Sequence, residues 1–310
     1  MYKGSICDVG GITVGHAQDE RGMTGVTAFL FGEGAVAGVD VRGAAPGTRE
    51  TDLLKSENMI EKIHAVVLSG GSAFGLDAAG GVMKALEEMG IGFDAGAFKV
   101  PIVCAAVLFD LGMGDPGIRP NARMGYEAAL RADTNPAQGA VGAGKGATVG
   151  KLVPGSTPAK GGIGMASLQL PGGGCVAAMV AVNAAGDVVD PATGITVACG
   201  SLAGRPVHAV QALLEGGQSD PFSAGRNTTI GLVATDVRLT KPQANRLAQV
   251  AHDGLARAIR PVHTVADGDT LFAVSTGEKT CNPVVLQACA VEVVSRAIVN
   301  AVHPDILEGA

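Results

Sequence analysis

The segment "GRNTTIGLVATD" (residues 225–236) joins a polar turn to an apolar run, and two threonines follow Asn227 at the junction. Three interpretations compete for them. Asn227-Thr228-Thr229 matches the acceptor pattern of N-glycosylation, and it also fits a turn that leads into a strand. Alternatively, Thr228 is a nucleophile that becomes functional only when the peptide bond before it is cut.

The composition describes a globular protein with an acidic surface. The chain has 310 residues, 47% of them hydrophobic, and a mean hydropathy of +0.31, which is enough apolar material for a core. Its 47 glycines follow no period of three, which excludes collagen. The net charge of −6 and the pI near 5.5 argue against nucleic acid or an anionic membrane as partner. We therefore expect a small substrate.

The N-terminal residues and the cysteine pattern indicate a cytoplasmic protein without a metal. No apolar run of signal-peptide length occurs in the N-terminal segment "MYKGSICDVGGITVGHAQDE", so a cytoplasmic location is predicted. This prediction also removes the glycosylation interpretation of Asn227. The six cysteines form no C-x-x-C pair, and the six histidines show no ligand spacing. No metal or other cofactor is predicted.

Short apolar runs alternate with glycine-rich turns and helical segments, and no linker divides the chain, so a single domain over residues 1–310 is predicted. The segment 213–227 is expected to be an exposed loop. A helix is expected after Ser72. Two more are expected at residues 241–259 and 284–302, the last a buried helix rather than a membrane span because charges are spread along it. Strands are predicted at 25–31, 35–42, 64–70, 176–183, 228–236 and 269–276.

Two glycine motifs come close to known catalytic patterns. "GGSAFG" (70–75) lacks the glycine that a nucleophile elbow needs two residues after its serine, so Ser72 is interpreted as a helix cap that could also line a pocket. "VGAGKGATVGKL" (141–152) formally matches the dinucleotide fingerprint, but Pro154 follows where a helix should begin. It does not match a phosphate loop, because Leu152 stands in place of Ser or Thr. A nucleotide-binding enzyme is therefore a distant alternative.

Six segments in order resemble the family of DmpA-type aminopeptidases, β-peptidyl aminopeptidases and nylon-oligomer hydrolases. They span nearly the whole chain and are "TGVTAFLF", "VDVRGAAPGTRETDLL", "VVLSGGSAFGLDAAGGV", "VGAGKGATVGKL", "NTTIGLVATDVRLTK" and "PVHTVADGDTLFAVSTG". The resemblance implies an α+β fold, the four-layer αββα sandwich of N-terminal-nucleophile hydrolases. It also implies a precursor that cuts itself between Asn227 and Thr228 into an α chain (1–227) and a β chain (228–310).

The resemblance also assigns catalytic roles by position. Thr228 would be the nucleophile, with its new α-amine as the local base. Lys151 would supply a positive charge near that amine, Asn183 an oxyanion-hole amide, and Asp267 and Asp269 the acidic pair that orients the amine. Taken without the family, these residues are most simply turn, strand and surface residues.

One departure from the family bears on substrate choice. The aminopeptidase branch leads us to expect a glutamate and a tyrosine before an aspartate, whereas this chain has Val107 and Phe109 before Asp110. Without that carboxylate, discrimination in favour of a free substrate amine should weaken. This change and the threonine nucleophile point to the nylon-oligomer-hydrolase branch. Ser72, Phe109 and Thr229 are candidate pocket residues.

The leading hypothesis is a self-processing threonine hydrolase of amide bonds that acts on short peptides or peptide-like oligomers through an acyl-enzyme. An aminopeptidase that requires a free N-terminus is the first alternative, and a non-catalytic scaffold or binding protein is the second. The resemblance also implies a homo-oligomer of αβ units, with neither nucleic acid nor membrane as partner.

Overall fold

A computed structural model describes residues 1–217 and 226–303 of the chain. The strands are β1 (Thr13–Asp19), β2 (Thr24–Val41), β3 (Thr48–Arg49), β4 (Lys62–Ser69), β5 (Phe93–Asp94), β6 (Lys99–Val100), β7 (Val103–Val107), β8 (Thr148–Val149), β9 (Ala159–Lys160), β10 (Gly162–Gln169), β11 (Cys175–Asn183), β12 (Asp187–Val189), β13 (Thr196–Ala198), β14 (Gly200–Leu202), β15 (Arg205–Val207), β16 (Thr228–Val237), β17 (Ile259–Arg260) and β18 (Thr270–Lys279). The α-helices are α1 (Ala78–Glu88), α2 (Ala122–Leu130), α3 (Ala209–Leu214), α4 (Lys241–Ala258) and α5 (Pro283–Ala301). Short 3-10 helices span Ile6–Asp8, Asp52–Leu54, Ser72–Asp77 and Gly142–Gly144.

The long strand β2 belongs to two halves of one sheet system. Its first half pairs with β1 and β4, and its second half pairs with β18, with a register irregularity between Leu30 and Ala35. One half-sheet therefore runs β1-β2-β4-β7-β3 and the other β10-β11-β16-β18-β2. Only the β4/β7 and β16/β18 pairs are parallel among the described strands of these half-sheets. The sequence predicted two strands, 25–31 and 35–42, where the structure has one continuous strand.

Three apolar clusters between and outside the half-sheets make four layers. The central cluster joins the facing sides of the two half-sheets and includes Phe29, Leu68, Met179, Leu232 and Phe272. A second cluster lies between one half-sheet and helices α4 and α5, and a third lies between the other half-sheet and helices α1 and α2. This order of layers is the predicted αββα sandwich.

The two long helices of one outer layer begin at local sequence signals. Thr240 precedes α4 and forms a capping box with Gln243, and Asn282 caps α5 by accepting the N–H of Val284 at 2.9 Å. Helix α5 is long and apolar enough to cross a membrane, with a mean hydropathy of 1.5, but 56% of that window is buried within the fold. It packs against β10 and β11, as the prediction of a buried helix requires.

Two local predictions were wrong in part. Ser72 does not cap a helix: Gly71, in the left-handed conformation at φ 78°, is the N-cap of the 3-10 helix, and Ser72 is its first residue without a capping side-chain bond. Glycine adopts this conformation without the steric cost that a side chain adds. The expected loop at 213–227 begins within helix α3, and its residues 218–225 lie outside the described part of the chain.

Candidate active site

Thr228 is the first residue of the central strand β16, at one end of the space between the half-sheets. Ile230 and Leu232, which lie on the same side of this strand, belong to the cluster between the half-sheets. The Thr228 side chain is buried, and its Oγ1 donates to the carbonyl oxygen of Asn227 at 2.5 Å. The N–H of Gly268 donates to that same oxygen at 2.9 Å. The Asn227–Thr228 peptide group therefore has a hydroxyl and an amide donor on its carbonyl oxygen.

Asn183, the last residue of β11, is paired in register with Thr228. Its Oδ1 accepts the N–H of Thr148 at 3.0 Å, and its Nδ2 donates to the carbonyl oxygens of Phe109 at 2.9 Å and Arg226 at 3.2 Å. Donors surround Oδ1 and acceptors surround Nδ2, so the hydrogen-bond network fixes the orientation of the amide. The NH₂ group therefore faces the segment that leads to the Asn227–Thr228 bond.

Lys151 follows the short strand β8 and contacts Asn183. Its Nζ donates to Asn183 Oδ1 at 2.8 Å, to the Asn183 carbonyl oxygen at 3.0 Å and to the Arg226 carbonyl oxygen at 3.4 Å. Burial lowers the pKa of Lys151 to about 7, and the Asp267 carboxylate opposes that shift. A lysine with this pKa holds both protonation states near neutral pH, which suits a group that exchanges protons during a reaction.

Asp267 and Asp269 lie beside the two residues of the predicted cleavage bond. Asp267 pairs with Asn227 as an isolated parallel bridge, and its Oδ2 accepts the N–H and the hydroxyl of Thr264 at 2.8 and 2.6 Å. Asp269 Oδ1 accepts the N–H of Thr229 at 2.7 Å. Burial, and then the charge of Asp269, raises the pKa of Asp267. The backbone at Asp267 therefore pairs with the residue before Thr228, and the Asp269 side chain holds the residue after it.

The candidate pocket residues are placed differently from one another. The Phe109 carbonyl accepts from Asn183, and the Phe109 ring lies 5.7 Å from the Arg226 guanidinium carbon, so Phe109 belongs to the group around the Asn227–Thr228 bond. Ser72 donates its N–H at 2.9 Å to the carbonyl of Leu108, the residue before Phe109. The side chain of Thr229 is fully buried on the opposite side of β16 from Thr228, the side on which Val233 packs towards the helices.

Several residues at the site were missed by reasoning from the sequence. Gly268 donates to the Asn227 carbonyl, Thr148 orients the Asn183 amide, and His263 contacts Asp269. The backbone contributions leave no side-chain signal, and His263 has no ligand spacing to mark it. The only sequence signal for Gly268 was its position between Asp267 and Asp269, two residues already proposed for the site. Within residues 1–217 and 226–303, no group of three His, Cys, Asp or Glu could hold a metal ion.

Two stacked half-sheets between helix layers, with a buried threonine opening the central strand, define an N-terminal-nucleophile hydrolase fold. The sequence profile of peptidase family S58 matches residues 4–307, and the chain belongs to this family. It is therefore a hydrolase that acts on amide bonds, as the resemblance implied.

Named relatives and a solved structure agree with this assignment. An uncharacterised aminopeptidase of Mycobacterium tuberculosis is 46% identical over 297 residues, which cover 90% of this chain and 83% of the relative. A 6-aminohexanoate-oligomer endohydrolase of Kocuria is 34% identical, covering 87% of this chain and 74% of that protein. The fold matches that of an L-aminopeptidase D-Ala-esterase/amidase from Ochrobactrum anthropi, described as a variant of the Ntn hydrolase fold. The TM-score is 0.69 at 22% identity, over 96% of this chain and 85% of that one.

Proposed function

We propose that this chain is a precursor that cleaves its own Asn227–Thr228 bond and then hydrolyses amide bonds with Thr228 as N-terminal nucleophile. The observation that carries the proposal is the Asn227 carbonyl oxygen, which lies 2.5 Å from Thr228 Oγ1 and accepts the N–H of Gly268. A nucleophilic oxygen beside the carbonyl and a backbone donor on its oxygen are what an intramolecular acyl shift requires.

Self-cleavage would proceed in two steps, an acyl shift from nitrogen to oxygen and then hydrolysis of the ester. Thr228 Oγ1 attacks the Asn227 carbonyl carbon, and the Gly268 N–H stabilises the negative charge that develops on the carbonyl oxygen. The C–N bond breaks, the hydroxyl proton goes to the departing nitrogen, and an ester joins Asn227 to Thr228. Water then hydrolyses this ester, leaving a carboxylate on Asn227 and a free α-amine on Thr228. The new amine is the base that the threonine lacked in the precursor.

The same groups would serve the mature enzyme. Once residues 226–227 are no longer joined to Thr228, the Asn183 NH₂ that now bonds the Arg226 carbonyl is available to a substrate oxyanion. Lys151 holds Asn183 in place through Oδ1, and its charge favours the unprotonated α-amine of Thr228. Asp267 and Asp269 would orient that amine. The substrate acyl group passes to Oγ1, its amine leaves with the transferred proton, and water releases the acid.

For the substrate, we propose short peptide-like oligomers whose amide bonds lie between apolar segments. The 6-aminohexanoate-oligomer endohydrolase named above acts on such oligomers, and this chain has buried Val107 and partly buried Phe109 where an ammonium anchor is expected. An aminopeptidase is the second candidate, favoured by the name of the 46% identical mycobacterial relative.

We further propose that the protein is a cytoplasmic homo-oligomer of αβ units. It would bind neither nucleic acid nor membrane, since the acidic net charge of −6 opposes binding to either of these anionic partners.

The proposal is tested by the intact mass of purified wild-type protein, Thr228→Ala and Thr228→Ser. We expect two fragments that divide between Asn227 and Thr228 in the wild type, an uncut chain in the alanine variant, and cleavage in the serine variant, which keeps a hydroxyl. A wild-type chain that stays whole and inactive would contradict self-processing and support the non-catalytic scaffold. Capped and uncapped 6-aminohexanoate dimers then separate the substrate proposals, because an aminopeptidase cuts only the uncapped one.

A further inference from the structure

His263 contacts one oxygen of the Asp269 carboxylate, and the peptide N–H that follows Thr228 contacts the other. The ring nitrogen Nδ1 lies 2.8 Å from Asp269 Oδ2, and the His263 backbone N–H donates to the same oxygen at 3.2 Å. The other oxygen, Oδ1, accepts the N–H of Thr229 at 2.7 Å. One carboxylate therefore connects a histidine directly to the peptide group that follows Thr228.

We propose that His263 is a positioning residue for Thr228, which acts by holding Asp269 in the orientation that fixes the Thr229 N–H and the backbone at the nucleophile. The inference rests on the proposed role of Thr228 as nucleophile. A carboxylate accepts only, so Nδ1 carries the proton in this contact and acts as the donor. Without that donor, Oδ2 would keep only the backbone N–H of His263, and the carboxylate could rotate away from Thr229.

The backbone at His263 is shaped for this contact. His263 has φ 57°, in the left-handed region that residues other than glycine enter at a cost. That conformation lets both the backbone N–H and the ring of one residue reach the same carboxylate oxygen. A residue held in a sparsely populated conformation indicates that its surroundings enforce it, and such residues cluster at functional sites.

A second histidine packs against His263. The ring of His252, on helix α4, lies edge-on to the His263 ring with centroids 4.9 Å apart, and its Nε2 lies 3.0 Å from the Asp40 carbonyl oxygen. Burial lowers the pKa of His252 to about 4, so this ring is neutral near pH 7. His252 therefore packs against His263 without adding a charge that would compete for Asp269.

Asparagine and aspartate at position 263 form a matched pair for the test. Both tolerate the left-handed backbone, and they have nearly the same shape, but only asparagine carries an N–H that can donate to Asp269. We would express the full chain as wild type, His263→Asn and His263→Asp by cell-free synthesis and follow cleavage over time by mass. The thermal stability of each variant is measured in the Thr228→Ala background, so that only uncut chains are compared.

We expect His263→Asn to cleave within about 3-fold of the wild-type rate, and His263→Asp to cleave about 10²-fold more slowly, the scale of a misplaced reacting group. In matured enzyme, with kcat taken per cleaved and folded molecule, His263→Asp should lower kcat and leave KM nearly unchanged. Lost folding stability alone would reduce only the number of active molecules, and would leave kcat per molecule as in the wild type. Equal cleavage rates in the two variants, fast or slow, would overturn the positioning role. A wild-type chain that never cleaves would overturn the role of Thr228, and this inference with it.

Discussion

The charge of Lys151 depends on the fold. Burial lowers its pKa to about 7, against about 10.4 for a lysine in an unfolded chain. Between these values the unfolded chain binds more protons than the folded one, so this residue makes stability rise with pH from about 7 to about 10. Below pH 7 both states are charged, and the folded state carries the full cost of the buried ammonium.

The Lys151→Met variant should lose this pH dependence. We expect the free energy of unfolding of Thr228→Ala to rise more steeply between pH 7 and 9.5 than that of Thr228→Ala/Lys151→Met, by up to about 1.4 kcal/mol per pH unit. Urea titrations at several pH values measure the difference, in which the contributions of the other titrating groups cancel. Parallel slopes for the two proteins would show that Lys151 keeps an ordinary pKa in the folded chain.

At the scale of residues, the sequence predicts candidate side chains for the site, whereas it gives no signal for contacts made by the backbone. Thr228, Lys151 and Asn183 were proposed through a family resemblance, and the structure brings these three together. Gly268 contributes a backbone N–H, which every residue except proline possesses, so its residue type does not indicate that role. His263 contacts Asp269 because its backbone is left-handed, and a histidine does not predict that conformation.

At the scale of secondary structure, strand β16 positions Thr228, the proposed nucleophile. Leu232 lies on the same side of β16 as Thr228 and is completely buried in the cluster between the half-sheets. Leu232→Ala should lower the free energy of unfolding by about 2–5 kcal/mol, since it removes buried apolar contacts and leaves a cavity. Urea unfolding in the Thr228→Ala background measures this loss. Leu214→Ala is the control: Leu214 is 83% exposed, and its loss should change stability by less than about 0.5 kcal/mol. Equal losses in both variants would mean that β16 is not anchored through this cluster.

The elements that could be predicted from the sequence are those with strong local patterns. The strands near 64–70, 176–183 and 228–236 and the helices near 241–259 and 284–302 all lie within a few residues of their predicted bounds. The sequence predicted two strands here because "FGEG" (31–34) has turn-forming glycines, and the structure has a register irregularity at this place, with Gly34 at φ 71°. The strand continues across the irregularity because the residues before and after it both pair with β4, a contact between distant parts of the chain that the local pattern does not reveal.

At the scale of the whole molecule, the predicted cleavage would cut the chain beside its central strand without separating the layers. In the half-sheet order β10-β11-β16-β18-β2, strands β16 and β18 come from residues 228–310 and lie between strands of residues 1–227. Helices α4 and α5 also come from the second fragment, and they cover the sheet that both fragments form. The local patterns of the sequence reveal the elements, but this interleaved order depends on contacts between residues far apart in the chain.

The interleaving predicts that the two fragments remain one folded unit after cleavage. With an affinity tag at the N-terminus only, fragment 228–310 should be retained with fragment 1–227 through extensive washing in native buffer, because leaving would break strand pairing on both sides of the β16/β18 pair and expose two apolar clusters. Adding a denaturing concentration of urea should release it, whereas uncut Thr228→Ala releases nothing under either condition. Retention is measured by the mass and amount of each fragment in wash and eluate. Loss of fragment 228–310 in native buffer would contradict the arrangement of strands described here, since a strand held on both sides in the middle of a sheet cannot dissociate without opening the core.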